Sequence, residues 1–329
     1  MRIALPPTID AHAFAGLNRH VPIVTLDGET MGTGWRVLYA HPSADPAAVR
    51  ALVERRLAGI VGQMSHWAAE SLLTRFNHAP AGSWITLPRD FASVIDAALT
   101  LADISDGAFD PTIGRLVDVW GFGPPGPVAV TPDTATVRTL LDTGNWRRLA
   151  WDAPLARLRQ PGGLSLDLSG IAKGHAVDAV TATLAEAGIA HLLVEIGGEL
   201  AGRGVRPDGE PWWVDLEDPP GVTLPPLRIA LHGIAVATSG NYRRGDHNLD
   251  PRTGMPATGG VVSASVIAPL ARDADGWATA LTVLGAEAGM ALASEHGIAA
   301  RLVTIGGDGA GNGGCDERLT PAMVAMLGD

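Results

Sequence analysis

Apolar residues recur at helical spacing in two long stretches of the chain. Val49, Leu52, Val53, Leu57, Ile60, Val61 and Met64 share one face of a 3.6-residue repeat, which predicts an amphipathic helix of about 18 residues. Asp45-Pro46 ahead of it reads as an N-cap followed by proline at the first helical position. A second helix is predicted over 88–104, with Phe91, Val94, Ile95 and Leu99 inward and Gly107 past its end. A first strand is predicted over 35–40, after the turn-like Met31-Gly32-Thr33-Gly34. Leu164, Leu166 and Leu168 alternate with Ser165 and Asp167, predicting a half-buried strand that feeds a helix over 171–187. Residues 192–196 read as a buried strand ending at Gly197-Gly198, and further strands are predicted over 213–216, 227–231, 260–267 and 299–305. A loop over 121–130, a short helix over 131–141 and a final helical pair over 275–284 and 286–296 complete the pattern. Strand-rich stretches broken by long helices, with neither a βαβα rhythm nor an internal repeat, predict an α+β fold.

Composition narrows the function. Hydrophobic residues at 46% and charged residues at 18% describe an ordered globular chain. A net charge of −11 with no Lys/Arg run argues against nucleic acid as a partner. Cys315 is the only cysteine, so one chain builds neither a disulfide framework nor a cysteine zinc site, which fits a reducing compartment. Residues 1–20 show no apolar core and no cleavage site of an export signal, and no apolar stretch reaches the ~18 residues of a membrane span. The expected location is cytoplasmic. Of the 24 basic side chains only Lys173 is a lysine, so a compact ammonium is wanted there where arginine served elsewhere. The alternative is a leftover surface lysine.

The nucleotide and hydrolase signatures GxxxxGK[ST], HExxH, CxxC and GxSxG are absent, and the glycine-rich tail over 306–314 reads as a turn. What remains is a series of polar, glycine-containing patches between apolar segments. Gly107-Ala108-Phe109-Asp110-Pro111-Thr112-Ile113-Gly114 is followed by Trp120-Gly121-Phe122-Gly123; alone, its FDPT reads equally as an Asp-Pro turn. Asp167-Leu168-Ser169-Gly170-Ile171-Ala172-Lys173-Gly174 lies at a strand-to-helix junction, where free N–H groups and the helix dipole favour a phosphate. Lys173 is read there as one turn inside the helix. Two further patches are Ala237-Thr238-Ser239-Gly240-Asn241-Tyr242 and His247-Asn248-Leu249-Asp250-Pro251-Arg252-Thr253-Gly254, the second also a good type I turn. Asp275 and Thr279 are spaced i and i+4 on one helix face and offer hard oxygen ligands for Mg²⁺, or Asp275 simply satisfies helix amides.

In this order the patches AFDPTIG, WGFG, DLSGIAKG, VATSGNY, HNLDPRTG and ADGWATA resemble the ApbE-like flavin transferases, which move FMN from FAD onto a protein threonine. The likeness runs from Met31 to about Gly285. It implies a two-lobed, T-fold-like α+β architecture, a mainly antiparallel sheet flanked by helices, with residues 1–329 as a single catalytic unit and 1–25 as an N-terminal extension. It also implies FAD in the cleft as substrate, its diphosphate held by Mg²⁺, and an acceptor flavoprotein with a Thr or Ser site as partner. Carried over residue by residue, Met31, Trp67, Ala108, Phe109, Asp110, Asp167, Lys173 and Leu249 contact FAD, while the Gly170 carbonyl, Asp275 and Thr279 hold the metal. His247 is the expected general base, since an imidazole takes a proton near neutral pH, and His175 is the runner-up.

The chain departs from the family pattern at Ala278, where some members carry a further metal-ligating Asp, at Glu195 and Glu199 beside Gly197-Gly198, and at His175 in place of a common Tyr. Many members are exported lipoproteins; the lipidated cysteine near the start is not seen here. Two rival functions share the pocket: an FAD diphosphatase releasing FMN and AMP to water, and a non-catalytic flavin-binding or delivery protein.

Overall fold

A computed structural model describes residues 1–9, 11–240, 247–305 and 314–328. Its centre is an eight-stranded sheet in the order Cys315–Leu319, Ala299–Ile305, Val261–Ala268, Ile234–Ser239, Glu199–Arg203, His191–Ile196, Thr33–Ala40, Val24–Thr30. Every neighbouring pair is antiparallel, as the α+β reading requires. The strand nearest the N-terminal third joins the sheet across a long gap in sequence, with Trp35 opposite Ile196 and Ala40 opposite His191.

Both faces of this sheet are covered. Leu192, Val194 and Ile196 turn into the main core, which the helices Pro46–Met64, Ala172–Glu186 and Ala271–Glu295 close. Leu193 points the other way, into a second cluster with Trp212, Ile229, Leu231 and Met323. A strand buried on both sides needs apolar residues at successive positions, which is why 191–196 shows no alternation. At about 1.5–3 kcal/mol for each fully buried Leu, Val or Ile, these rows dominate the stability of the sheet.

Helix ends are set by local chemistry. Asp45 caps Pro46–Met64 by accepting from the N–H groups of Ala47 and Ala48 at 3.2 and 3.3 Å. The predicted 88–104 helix is Arg89–Ile104, with Pro88 at its N-cap, and Gly107 closes its far end at φ +78° by donating to the Ala102 carbonyl at 2.8 Å. The last helical pair is present as predicted: the run Ala271–Glu295 begins four residues early and is broken at Gly285, whose φ +79° and ψ 176° are not helical. An ion cluster ties three helices together: Arg56 meets Asp90 at 2.6 Å, and His175 Nε2 stands 3.3 Å from the same carboxylate.

Several expectations need correction. Residues 164–168 are not a ladder strand; only Ser165 bridges, to Ile113. Side chains and a loop carbonyl take the place of a partner strand: Asn77 exchanges hydrogen bonds with the backbone of Leu166, Gln160 donates to the Leu164 carbonyl, and Asp167 N–H donates to the Pro111 carbonyl. The short helix runs Thr134–Thr143, three residues later than predicted at its start, because Asp133 caps it through the Thr136 N–H at 2.7 Å. Ala237, Thr238 and Ser239 of the third polar patch end the strand Ile234–Ser239, which the sequence leaves unassigned. The helix Leu72–Asn77, capped by Ser71, went unread. Among the described residues no helix is long and apolar enough to cross a membrane.

Candidate functional site

A cleft of about 1170 Å³ opens where the N-terminal ends of two helices meet the strand ends of the sheet. It gathers His247, Trp67, Ala108, Phe109, Asp110, Asp167, Lys173, Leu249, Gly170, Asp275 and Thr279, segments scattered over more than half the chain. Met31, expected to contact FAD, does not line it. That residue sits in the hairpin turn between Val24–Thr30 and Thr33–Ala40 at φ +51°, its side chain against the main core.

The floor is built by the two helices. Lys173 is the second residue of Ala172–Glu186, closer to the helix end than its sequence spacing suggests. Its Nζ lies 2.6 Å from Glu199 Oε1 and 3.5 Å from Asp275 Oδ1. Asp275, in the second turn of its helix, takes the Gly174 N–H on its other oxygen at 3.0 Å, so it bonds an amide of a neighbouring helix and does not cap its own. One turn on, Thr279 Oγ1 stands 3.4 Å from the Gly170 carbonyl. A Cβ on Gly170 would stand 2.9 Å from that hydroxyl oxygen, so only glycine permits the approach.

Charge at the floor is concentrated, with Glu199 and Asp275 buried and Lys173 partly exposed to the cleft. Burial disfavours the Lys173 ammonium, but Asp275 and Glu199 outweigh it and hold the group above its ordinary value. For Glu199 burial wins: it pushes the carboxyl up to about 7 against the pull of Lys173, with Asp275 adding repulsion. Glu199 Oε2 is buried without a hydrogen-bond partner, which leaves lone pairs for a donor or cation. Among the described residues no three His, Cys, Asp or Glu side chains cluster as a metal site; the convergent set is one carboxylate, one hydroxyl and one backbone carbonyl. These are hard oxygens of the kind a small divalent cation such as Mg²⁺ takes.

The walls come from loops. Asp110 accepts from both the N–H and the hydroxyl of Thr112, at 2.7 and 2.6 Å, and from the Trp146 N–H at 3.3 Å. Burial nonetheless raises its carboxyl above the ordinary range. FDPT is thus both a turn and a cleft wall. Asp167 accepts the Ser169 N–H at 2.7 Å and faces His66 Nδ1 at 3.7 Å. His66 lines the cleft beside Trp67, their ring centroids 5.5 Å apart. No sequence motif singles out His66; its position beside Trp67, just beyond the end of Pro46–Met64, was the available signal. Trp67 is 62% exposed, an aromatic face left open at the cleft.

His247 is placed by the segment on its C-terminal side. Leu249 is buried in a third cluster with Leu116, Val117, Val137 and Leu140, and Leu249–Asp250 pairs with Met255–Pro256. The DPRTG turn closes through Gly254 N–H to the Asp250 carbonyl at 2.7 Å, and Trp120 Nε1 donates to the Gly254 carbonyl at 2.8 Å. Asn241 and Tyr242 of the preceding patch, and 306–313 of the glycine-rich tail, lie outside the described residues. His175 does not line the cleft; it turns to Asp90, and burial lowers its basicity.

The signature of the ApbE family matches residues 31–312. The chain is 34% identical over 305 residues to the FAD:protein FMN transferase of Klebsiella pneumoniae (strain 342), covering 86% of this chain and 85% of that protein. It is 34% identical over 306 residues to the one from Vibrio cholerae serotype O1 (strain ATCC 39541 / Classical Ogawa 395 / O395), covering 90% and 91%. The apo crystal structure of Pseudomonas stutzeri flavinyl transferase ApbE superposes with a TM-score of 0.85 at 35% identity, covering 94% of this chain and 98% of that one. Flavin transferase ApbE from Vibrio cholerae gives a TM-score of 0.85 at 32% identity, with 93% and 99% covered.

Proposed function

Because this chain belongs to the ApbE family, we propose that it transfers FMN from FAD to a threonine or serine hydroxyl of an acceptor flavoprotein, with AMP leaving and Mg²⁺ required. The observation that carries the reading is the convergence of the Gly170 carbonyl, Asp275 and Thr279 at the floor of a cleft walled by Trp67, Phe109, Asp110 and Asp167. This arrangement suits a charged diphosphate with a planar aromatic group attached, for which Trp67 leaves an open ring face. Neither a protein that only binds FAD nor one built for FMN alone needs that hard-oxygen floor.

The acceptor hydroxyl oxygen forms a new bond to the phosphorus of the FMN half, and the bond from that phosphorus to the bridging oxygen breaks, so the bridging oxygen departs with AMP. His247 receives the hydroxyl proton, and general bases of this kind contribute typically 10²–10⁴-fold. Trp67 offers an exposed ring face to a planar end of FAD, while Phe109, buried beside Gly170, shapes the cleft floor. Asp110 and Asp167 accept hydrogen bonds from its polar edges, each already oriented by backbone N–H groups. Lys173 brings a positive charge to the floor and keeps the Asp275 carboxylate directed there. Mg²⁺ held by Gly170, Asp275 and Thr279 would neutralise charge on the phosphoryl oxygens.

The test is to incubate the protein with FAD, Mg²⁺ and a threonine-bearing acceptor domain of a flavinylated protein. The expected result is a covalent FMN mass increment on that domain and one AMP released per FMN transferred. Release of FMN and AMP with no increment would make the protein a diphosphatase. Absence of any AMP would leave it a flavin-binding protein.

A further inference from the structure

Leu270, the N-cap residue of Ala271–Glu295, has no side chain able to accept a hydrogen bond, so the first amides of that helix need another partner. They find it on the neighbouring helix. Asp178 Oδ1 accepts the Ala271 N–H at 2.8 Å and Oδ2 accepts the Arg272 N–H at 2.9 Å. Asp178 lies one turn beyond Gly174 and on the same face of Ala172–Glu186. Gly174 is packed so closely on this first turn that a Cβ there would lie 2.1 Å from the Ala271 carbonyl oxygen. Its own N–H reaches Asp275, and Asp275 is one turn above Ala271.

We propose that Asp178 is a positioning residue for metal binding: by clamping the first turn of Ala271–Glu295 it sets the depth at which Asp275 and Thr279 face the Gly170 carbonyl. This rests on the reading of those three residues as the metal ligands. Asp178 itself touches neither them nor the cleft. The clamp has two parts. The glycine at 174 allows close approach, and the carboxylate at 178 fixes register along the helix axis through two charge-assisted bonds at its positive end. A shift of the helix along its axis would carry Asp275 and Thr279 together past Gly170, at a contact already as close as 3.4 Å. Burial pushes the Asp178 carboxyl up to about 6 despite these amides, so its ionised form costs the fold something. A helix cap needed for stability alone is available more cheaply from a Ser or Asp at position 270.

The test uses Mn²⁺ as the probe, titrated into the full-length protein without FAD, with free Mn²⁺ read by its electron paramagnetic resonance signal. Asp178→Asn is nearly isosteric and keeps one acceptor oxygen while setting an amide against the second N–H; Asp178→Ala removes both bonds. Met323→Ala, which opens the second apolar cluster on the opposite face of the sheet, away from the helix crossing and the cleft, controls for general loss of stability. The expected result is Mn²⁺ binding at least ~10-fold weaker in Asp178→Asn, equivalent to about 1.4 kcal/mol. Met323→Ala should bind normally at a comparable drop in Tm. In transfer assays the half-activating Mg²⁺ concentration should rise by a similar factor while the rate at saturating Mg²⁺ is largely kept. Wild-type Mn²⁺ affinity in Asp178→Asn, with binding lost in Asp275→Ala, overturns the positioning role. Should Asp275→Ala also bind normally, the ligand assignment itself fails and this inference with it.

Discussion

Lys173 and Glu199 meet at 2.6 Å on the cleft floor, with Asp275 on the other side of the same ammonium at 3.5 Å. The single lysine of the chain therefore stands between two carboxylates and pairs with both. Lys173→Met leaves both facing each other and should destabilise the protein by about 3 kcal/mol, the low end for breaking a buried pair. Urea unfolding at neutral pH measures it. Lys173→Arg keeps the charge but places a planar fork where a compact ammonium fits. FAD affinity should fall, read by quenching of flavin fluorescence; unchanged affinity would mean that the charge alone matters.

His247→Ala should bind FAD nearly as tightly as the wild type yet transfer FMN at least ~100-fold more slowly, the low end of the range for a positioned base. Single-turnover transfer at saturating FAD separates the two quantities. His175→Ala belongs in the same experiment as a control, and its transfer rate should stay within a few-fold of the wild type because the ring faces Asp90 behind the cleft.

Thr279→Val removes one hard oxygen and keeps the side-chain volume. Activity should fall at low Mg²⁺ and recover in large part as Mg²⁺ is raised, whereas Asp275→Ala should stay inactive at every concentration while remaining folded. Chelation should silence the wild type. Full turnover in excess chelator would remove the metal from the reaction.

The Arg56–Asp90 pair gives a pH signature. The Arg56 hydrogen bond and charge pull the Asp90 carboxyl down to about 2 against the opposing effect of burial. A folded-state value below the unfolded one means stability that is present above about pH 4 and lost as pH falls toward 2. Asp90→Asn should therefore be less stable than wild type by about 2 kcal/mol at pH 7, the gap closing in acid. Parallel stability curves for the two proteins from pH 7 to 2.5 would contradict this origin.

How much the residues disclosed depends on how local each signal is. Asp45-Pro46, Gly107 and Gly285 act on their own neighbourhood, so the helices they bound could be read with small errors at their ends. The 164–168 segment alternates like a strand but is held by Asn77 and Gln160, side chains that no periodicity connects to it. The cleft residues were legible through patterned patches, while His66 carries no pattern of its own and became visible only beside Asp167. Asp178 draws no reading from the sequence, because the two amides it accepts belong to a helix more than ninety residues further along. Met31 shows the opposite failure, since its motif is present but its side chain packs on the core and not in the cleft.

The pairing of Thr33–Ala40 with His191–Ile196 also dictates a timetable for the nascent chain. One edge of Thr33–Ala40 can close at once on Val24–Thr30, but the other has no partner until some 150 further residues have been made, roughly 8–30 s at ordinary ribosome speeds. During that interval a hairpin carrying Trp35, Val37 and Tyr39, side chains bound for the core, presents an open edge of the kind that recruits stray strands. Birth at the ribosome is thus the stage at which this protein has most need of a chaperone's cover, and a synonymous slowdown in translation between positions 40 and 190 would lengthen the exposure without altering a single contact of the finished fold.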